Sequence, residues 1–462
     1  MNITNMQIDP SIFKAYDIRG VYPTQLNEDI AYKIARAYAE IILRENKDKE
    51  NIDIVVGCDM RVSSPSLKEH IINGLIDSGL NVIDVGLVTT PTFYFSVAYY
   101  GYTGGMQISA SHNPKEYNGF KMVRAGGVPV SGEHGISEMK DMVVANNFPS
   151  YNKKGTVTVK EGIIDEEVKV QVEELKINKE NIKPFKIVVD TANAMAVLDI
   201  KAMFKDLPCE LVILNEKLDG TFPVHQPDPL AEENLKLLQE AVLEHKADLG
   251  IGPDGDGDRY FFVDEKGEII RQEILRGIMA QIAIKENPGA TVCYDIRPGR
   301  ITKDLIEEAG GVASVTRVGH SLIKEQMLKE DAVFGGESSG HYFYKFKYGT
   351  FEAPIVLTLK FLEYLSKQNK PVSEVVAPYK KYFHSGEINT KVADTRLKIE
   401  EIKNKYNEGK QSYLDGVTIE YPDYWFNVRA SNTEPLLRLN LEAKTKELME
   451  EKRDEVLILM NS

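Results

Sequence analysis

Three aspartates, Asp254, Asp256 and Asp258, are separated only by single glycines in the segment GIGPDGDGDR. In an extended segment alternate side chains point the same way, so this spacing predicts three carboxylates converging on one point, where their mutual repulsion calls for a cation. Mg2+ suits such hard oxygen donors, and it commonly completes its octahedron with water or phosphate oxygens. A solvated acidic loop and a Ca2+ loop are the rival readings, the second because Glu265 is the twelfth residue counted from Asp254. Against the Ca2+ loop, Arg259 stands where the sharp turn needs glycine, and Tyr260 to Val263 reads as a strand where an exiting helix is required.

A second stretch, SASHNPKEYNGFK from Ser109 to Lys121, holds two serines, a histidine, two turn signals and a lysine. A serine on a constrained loop can carry a phosphoryl group or act as a nucleophile, although Ser, Asn, Pro and Gly are also the ordinary composition of turns. A phosphorylated Ser111 would supply an oxygen that three carboxylates leave missing around Mg2+. The surplus of negative charge would then be offset by Arg259 and Lys121. No Gly-x-Ser-x-Gly or Ser-x-x-Lys pattern surrounds Ser111, so hydrolases of those types find no support.

Two further loops have the composition to hold a small anionic, hydroxylated ligand. GGESSGH, Gly335 to His341, combines glycines with a carboxylate that can accept from two neighbouring sugar hydroxyls; an ordinary turn is the alternative. RASNTEPLLRL places Arg429, Ser431, Asn432 and Thr433 directly before a strand, the donor set that holds a phosphate dianion without a metal, or else a polar hairpin loop. His320 opens the helical pattern HSLIKEQML, where the helix dipole favours an anion. His112, His320 and His341 each fall inside one of these loops, and any of them can be structural.

The elements that must position these residues follow an alternating order. Helical patterns over Glu28 to Leu43, from Ser63 to Ser78 and from Pro91 interleave with apolar strands at Ile52 to Gly57, Asn81 to Val85 and into Ser109. This alternation implies a mostly parallel sheet with helices on both faces, with ligands at the carboxyl ends of the strands, where Ser111 falls. A charged stretch at Tyr151 to Lys160 reads as a boundary. The pattern restarts with strands at Lys186 to Asp190 and Glu210 to Leu214, a helix at Glu232 to His245 and a strand into the aspartate segment. It restarts again after Arg259. Beyond about Pro371, Tyr413 to Ala430 and Leu436 to Ala443 alternate like strands exposed on one side, which predicts a smaller α+β domain with an antiparallel sheet. The expected domains are therefore 1–152, 153–258, 259–369 and 370–462.

At 462 residues the chain has the length of three or four domains, and its 42% hydrophobic and 27% charged residues describe a soluble globular protein. A formal net charge of −14 argues against nucleic-acid binding, which needs a dense basic surface. The start lacks a signal-peptide pattern and no run is apolar for the roughly 18 residues a spanning helix needs, so a cytoplasmic protein without membrane contact is expected. Cys58, Cys209 and Cys293 are scattered and read as reduced thiols.

Taken together and in this order, FKAYDIRG, SASHNP with NGFK, DGDGDR, GGE-x-SGH and RASNTEP resemble the motifs of the α-D-phosphohexomutase superfamily, most closely its bacterial phosphomannomutase/phosphoglucomutase branch. The resemblance runs from Phe13 into the last domain. It implies three related α/β domains plus a smaller C-terminal α+β domain of TBP-like fold around a central cleft. It further implies an isomerase that interconverts hexose 1-phosphate and hexose 6-phosphate through a phosphoserine and a hexose 1,6-bisphosphate. The carry-over assigns the phosphoserine to Ser111, which also faces the metal, and Mg2+ ligation to Asp254, Asp256 and Asp258. Arg19, Lys121, His112, Arg259 and His341 fall to the catalytic set. Tyr16, Arg297, His320, Glu337, Ser339, Arg429, Ser431, Asn432 and Thr433 fall to substrate binding. Lys121, with Arg19, would manage the proton of the attacking hydroxyl, and His341 is a second candidate.

Two departures bear on the sugar. Arg297 stands where the hexose branch commonly has lysine, and Phe351, Glu352 and Ala353 replace an Asp-rich turn. A carboxylate gripping hydroxyls 3 and 4 does not distinguish glucose from mannose, so dual specificity follows if Glu337 does so; Asn432 speaks against the glucosamine branch. The alternatives are a phosphoglucosamine mutase, a metal-dependent phosphosugar phosphatase and a Ca2+-responsive binding protein. The expected partner is a small phosphosugar, and a monomer is expected.

Overall fold

A computed structural model describes residues 8–297, 299–430 and 436–462. Two compact units divide the chain: Met1–Ile269 with His341–Val372, and Ile270–Gly340 with Ser373–Ser462.

The first unit opens with a six-stranded sheet in the order Ile18–Val21, Tyr117–Arg124, Gly104–Ile108, Asp53–Cys58, Asn81–Leu87, Val157–Val159. The last four run parallel, whereas Tyr117–Arg124 is antiparallel to both of its neighbours. The sheet is thus mixed, and the returning strand is the element that the alternating pattern hides. Its Asn-Gly dipeptide has the composition of a turn, yet Asn118 is buried and donates to Ser63 Oγ and Ser64 Oγ. A side chain at Gly119 would meet Ile18 O at 2.4 Å, so the glycine is there for close strand approach. Val157–Val159, inside the charged stretch that reads as a boundary, pairs as an edge strand with all three residues exposed, which is why its surroundings carry so little apolar signal.

Helix Glu28–Glu45 covers this sheet as its periodicity predicts, burying Ile30, Ile34, Tyr38 and Ile41, and its N-terminus is capped by Asn27 accepting from Ile30 N at 3.0 Å. In the second sheet Lys186–Asp190 lies parallel to Glu210–Leu214 and Leu249–Pro253, and Tyr260–Asp264 folds back antiparallel on Leu249–Pro253. The chain beyond Arg259 therefore first completes this sheet.

The third α/β segment is shared between the units. Thr291–Asp295, Val312–Thr316 and Phe334–Gly336 are parallel strands of the second unit. The antiparallel pair Tyr342–Phe346 and Gly349–Glu352 and the buried helix Pro354–Ser366 belong to the first. The C-terminal segment is an antiparallel sheet in the order Phe383–Lys391, Leu436–Ala443, Tyr424–Ala430, Val417–Glu420, Lys410–Ser412, with helices Thr395–Lys405 and Lys446–Asn461. Ile402, Phe426, Leu439, Leu441 and Val456 form its core. Three α/β segments followed by a smaller α+β segment is the class that the residue pattern predicts. No helix among the described residues is long and apolar enough to cross a membrane.

Candidate active site

Ser111 follows the carboxyl end of strand Gly104–Ile108 and is 2% exposed. Its φ of +51° lies in the left-handed region, which costs a serine roughly 1–2 kcal/mol and persists only where the surroundings impose it. Ser109 Oγ accepts from Ser111 N at 2.9 Å, so the neighbouring serine braces the backbone of Ser111. Ser111 Oγ donates to Asp254 Oδ2 at 2.9 Å and lies 3.0 Å from His112 Nδ1.

The aspartate segment is a tight turn between antiparallel strands, not the extended run expected from its spacing. Gly257 N donates to Asp254 O at 3.2 Å with Gly257 at φ +75°, and Asp254 N donates to Arg259 O at 3.1 Å. The carboxylates converge because the turn wraps around Asp254, whose Oδ1 accepts from the amides of Asp258 and Arg259. One oxygen from each of Asp254, Asp256 and Asp258 lies within 4.8 Å of the others, and all three residues are buried. Gly255 is required in turn, because a Cβ there would come within 2.4 Å of Ser111 O. Thr90, at the start of helix Thr90–Tyr99, donates to Asp256 Oδ2 at 2.6 Å. The Ca2+ loop loses its exit helix, since the residues that would form it are strand Tyr260–Asp264.

This donor set fits a hard divalent cation: three buried carboxylates face one point, and Asp256 Oδ1 is buried without a hydrogen-bond partner. Burial pushes the Asp254 carboxyl well up, and the nearby Asp258 and Asp256 charges push it further. Asp258 is also raised by burial, but Lys121 and His341 overcome that and hold it well below the usual range.

Positive charge frames the carboxylates. Lys121 Nζ donates to Asp258 Oδ2 at 2.6 Å and lies 3.0 Å from Asp256 Oδ2. Burial works against its charge, yet these two carboxylates hold its pKa well above the ordinary value, so in this arrangement it is an ammonium. Arg259 Nε is 3.8 Å from Asp254 Oδ2 and 3.3 Å from His341 Nε2, which itself lies 3.2 Å from Asp258 Oδ1. Arg19 donates to Asn113 Oδ1 at 2.5 Å and to Asp17 Oδ2 at 2.5 Å, tying the FKAYDIRG segment to the serine loop. His112 is pulled strongly down, first by burial and then by Arg259 and Arg19, and stays neutral. Tyr16 is half-buried, two residues before strand Ile18–Val21. Glu352, which the sequence marks as a departure, offers an oxygen beside Asp258 and His341.

The second unit gathers the other candidates. Glu337 is buried, and its Oε1 accepts from Gly319 N at 2.9 Å while Ser339 Oγ donates to Oε2 at 3.3 Å. Gly319 immediately precedes helix His320–Glu330, so His320 and Glu337 share one corner. Arg297 Nε donates to Asp295 Oδ2 at 2.6 Å, and Ser338 N and Oγ donate to the same carboxylate at 3.2 and 2.9 Å. Arg276 Nη1 reaches Asp295 Oδ1 at 2.9 Å. Asp295, unmarked in the sequence, thus fixes both Arg297 and the GGESSGH loop; burial raises its carboxyl, and Arg297 and Arg276 outweigh that and hold it low. Arg429, on strand Tyr424–Ala430, is paired with Glu387. Ser431, Asn432 and Thr433 lie outside the described residues.

Comparison with known proteins decides the kinship. The sequence matches, in order, the phosphoglucomutase/phosphomannomutase α/β/α domain I over residues 10–148, domain II over 166–267, domain III over 273–382 and the C-terminal domain over 387–459. The chain belongs to the phosphoglucomutase/phosphomannomutase family. A phosphomannomutase of Vibrio cholerae is 38% identical, covering 97% of this chain and 98% of its own. One of Methanocaldococcus jannaschii is 39% identical, covering 97% of each. A phosphoglucomutase/phosphomannomutase family protein of Burkholderia thailandensis has a crystal structure that superposes with a TM-score of 0.88 at 31% identity, covering 98% of this chain and 97% of that one. The family's activity is that of a phosphohexomutase, an isomerase that moves a phosphoryl group within a small phosphosugar.

Proposed function

We propose that the chain interconverts the 1- and 6-phosphates of mannose and glucose, with Ser111 as the phosphoryl carrier. The observation that supports this most directly is Ser111 Oγ at 2.9 Å from Asp254 Oδ2, inside a buried group of three carboxylates flanked by Lys121 and Arg259. Ser111 gives its phosphoryl group to the free hydroxyl of the bound hexose monophosphate. The resulting hexose 1,6-bisphosphate returns its other phosphoryl group to Ser111. Asp254, Asp256 and Asp258 would hold Mg2+, which supplies charge neutralisation at the transferring phosphoryl group. Arg259 places further positive charge beside the same oxygens. Lys121 is the candidate for taking the hydroxyl proton once its carboxylates no longer hold its charge and burial, which lowers its pKa, leaves it a neutral amine; His341 and Arg19, in the same unit, are the other candidates.

In the second unit, Glu337 and Ser339 would accept from and donate to the sugar hydroxyls. Arg297, His320 and Arg429, with Ser431, Asn432 and Thr433, would hold the phosphate that is not reacting. Mannose and glucose differ only at carbon 2, away from the hydroxyls such a carboxylate grips.

Two measurements test this. Peptide mapping of the purified protein is expected to find one phosphate on Ser111. Glucose 1-phosphate and mannose 1-phosphate are each expected to isomerise in the presence of Mg2+ and catalytic bisphosphate, with Ser111→Ala losing nearly all turnover. Isomerisation of neither sugar, or release of free phosphate faster than isomer, would reject the assignment.

A further inference from the structure

Outside the residues assigned above, one buried guanidinium holds the whole serine loop. Arg61 is 1% exposed, and its Nη2 donates to Ser111 O at 2.7 Å and Asn113 O at 2.6 Å. Its Nη1 donates to Pro114 O at 2.7 Å and Tyr117 O at 2.9 Å. The remaining edge faces Asp59, with Nε 3.2 Å from Oδ2, and Asp59 is itself fixed by Ser64 Oγ and the Arg61 amide. Phe222 lies against the guanidinium plane at 5.0 Å.

We propose that Arg61 is a positioning residue for phosphoryl transfer: by gathering four carbonyls of the loop 111–117 it imposes the left-handed backbone of Ser111 and aims its Oγ at the aspartates. This rests on the reading of Ser111 as the phosphoryl carrier. A guanidinium suits the task because its planar fork presents several donors in fixed directions, whereas an ammonium has three donors at one point and cannot span four separated oxygens. The pairing with Asp59 leaves the local charge balanced, so the effect is one of geometry. Ser111 N is braced by Ser109 Oγ and Ser111 O by Arg61, so both sides of the strained residue are held.

The test compares wild type, Arg61→Ala and Arg61→Lys in two assays: transfer of phosphate from glucose 1,6-bisphosphate to Ser111 in a single turnover, and steady-state isomerisation. Displacing a reacting atom by about 1 Å can cost about a hundredfold. The expected result is a loss of about that size in loading rate and kcat for both variants, with KM little changed, and partial restoration of Arg61→Ala by added guanidinium ion. Arg61→Lys keeps the charge and is the variant that decides if Arg61→Ala does not fold. Either variant loading at the wild-type rate per folded molecule, or a folded Arg61→Ala losing kcat without response to guanidinium, would overturn the proposal. A wild-type protein that does not load Ser111 would instead remove the carrier reading beneath it.

Discussion

Gly255 carries no functional group, yet it sits where the aspartate turn meets Ser111, the proposed phosphoryl carrier. A methyl group there would come within 2.4 Å of Ser111 O, a backbone atom with no room to yield. Gly255→Ala is therefore expected to lower kcat by about a hundredfold, measured in the isomerisation assay, since it pushes Ser111 away from the carboxylates by a fraction of a bond length or more. At this scale the sequence was most readable where chemistry shows in residue type. Asp254, Asp256 and Asp258 stand out by spacing, with Lys121 and Arg259 as the basic residues to offset them, while Ser111 is chosen over Ser109 by the family resemblance; the first unit brings all six together. Arg61 did not stand out because four of its partners are backbone carbonyls, and Asp295 because Arg276 and Ser338, which it holds along with the nearby Arg297, lie far along the chain. The one faint trace of Arg61 is an arginine following a buried strand in DMRVSSP. The aspartates converge through a turn that the Asp-Gly alternation supports equally well, and only the pairing of the strands on either side decides between turn and extended run.

Helices Thr90–Tyr99, Ile163–Glu174 and Ala196–Phe204 meet around two buried carboxyls. Thr92 Oγ1 donates to Glu167 Oε2 at 2.6 Å, Thr89 Oγ1 donates to Asp199 Oδ2 at 2.8 Å, and Gln171 Nε2 donates to Glu167 Oε1 at 2.7 Å. Burial pushes Asp199 up to about 7, and it pushes Glu167 well above its ordinary value, assisted by Asp199. A carboxyl raised on folding contributes stability below its unfolded pKa and loses it as pH rises through the folded value. The stability of wild type relative to Asp199→Asn, measured by denaturant unfolding, is therefore expected to fall between about pH 4 and pH 7, at up to roughly 1.4 kcal/mol per pH unit. A difference that does not vary with pH would show that the pair is not protonated in the fold. Helices Ile163–Glu174, Gln272–Glu286 and Lys446–Asn461 were not read from the sequence, whereas helices Glu28–Glu45, Ser64–Asp77 and Thr90–Tyr99 and the central parallel strands were legible because each carries its own apolar period. Strand Val157–Val159 was not, being exposed on every residue, and Tyr117–Arg124 was masked by its Asn-Gly pair.

For the whole chain, cation binding is expected to appear as stability. A ligand at a hundred times its Kd adds about 2.7 kcal/mol to a folded state it binds exclusively. Mg2+ is expected to raise the thermal midpoint of wild type, chelation to reverse the rise, and Asp256→Asn to diminish it; Ca2+ binding more tightly than Mg2+ would favour the Ca2+ reading instead. The first unit is built from two separated stretches of chain, Met1–Ile269 and His341–Val372. The later stretch supplies His341 beside Asp258, Tyr348 stacked edge-on against Phe95, Lys347 N donating to Glu174 Oε1 at 2.7 Å, and Ser366 Oγ accepting from Lys183 N at 2.9 Å. On the ribosome, everything up to residue 269 emerges without the helix and hairpin that cover it. The nascent chain must keep that apolar face in solution until some hundred further residues have been translated, and a product terminated at 269 is expected to be a client of chaperones or an aggregate, with no catalytic half to recover.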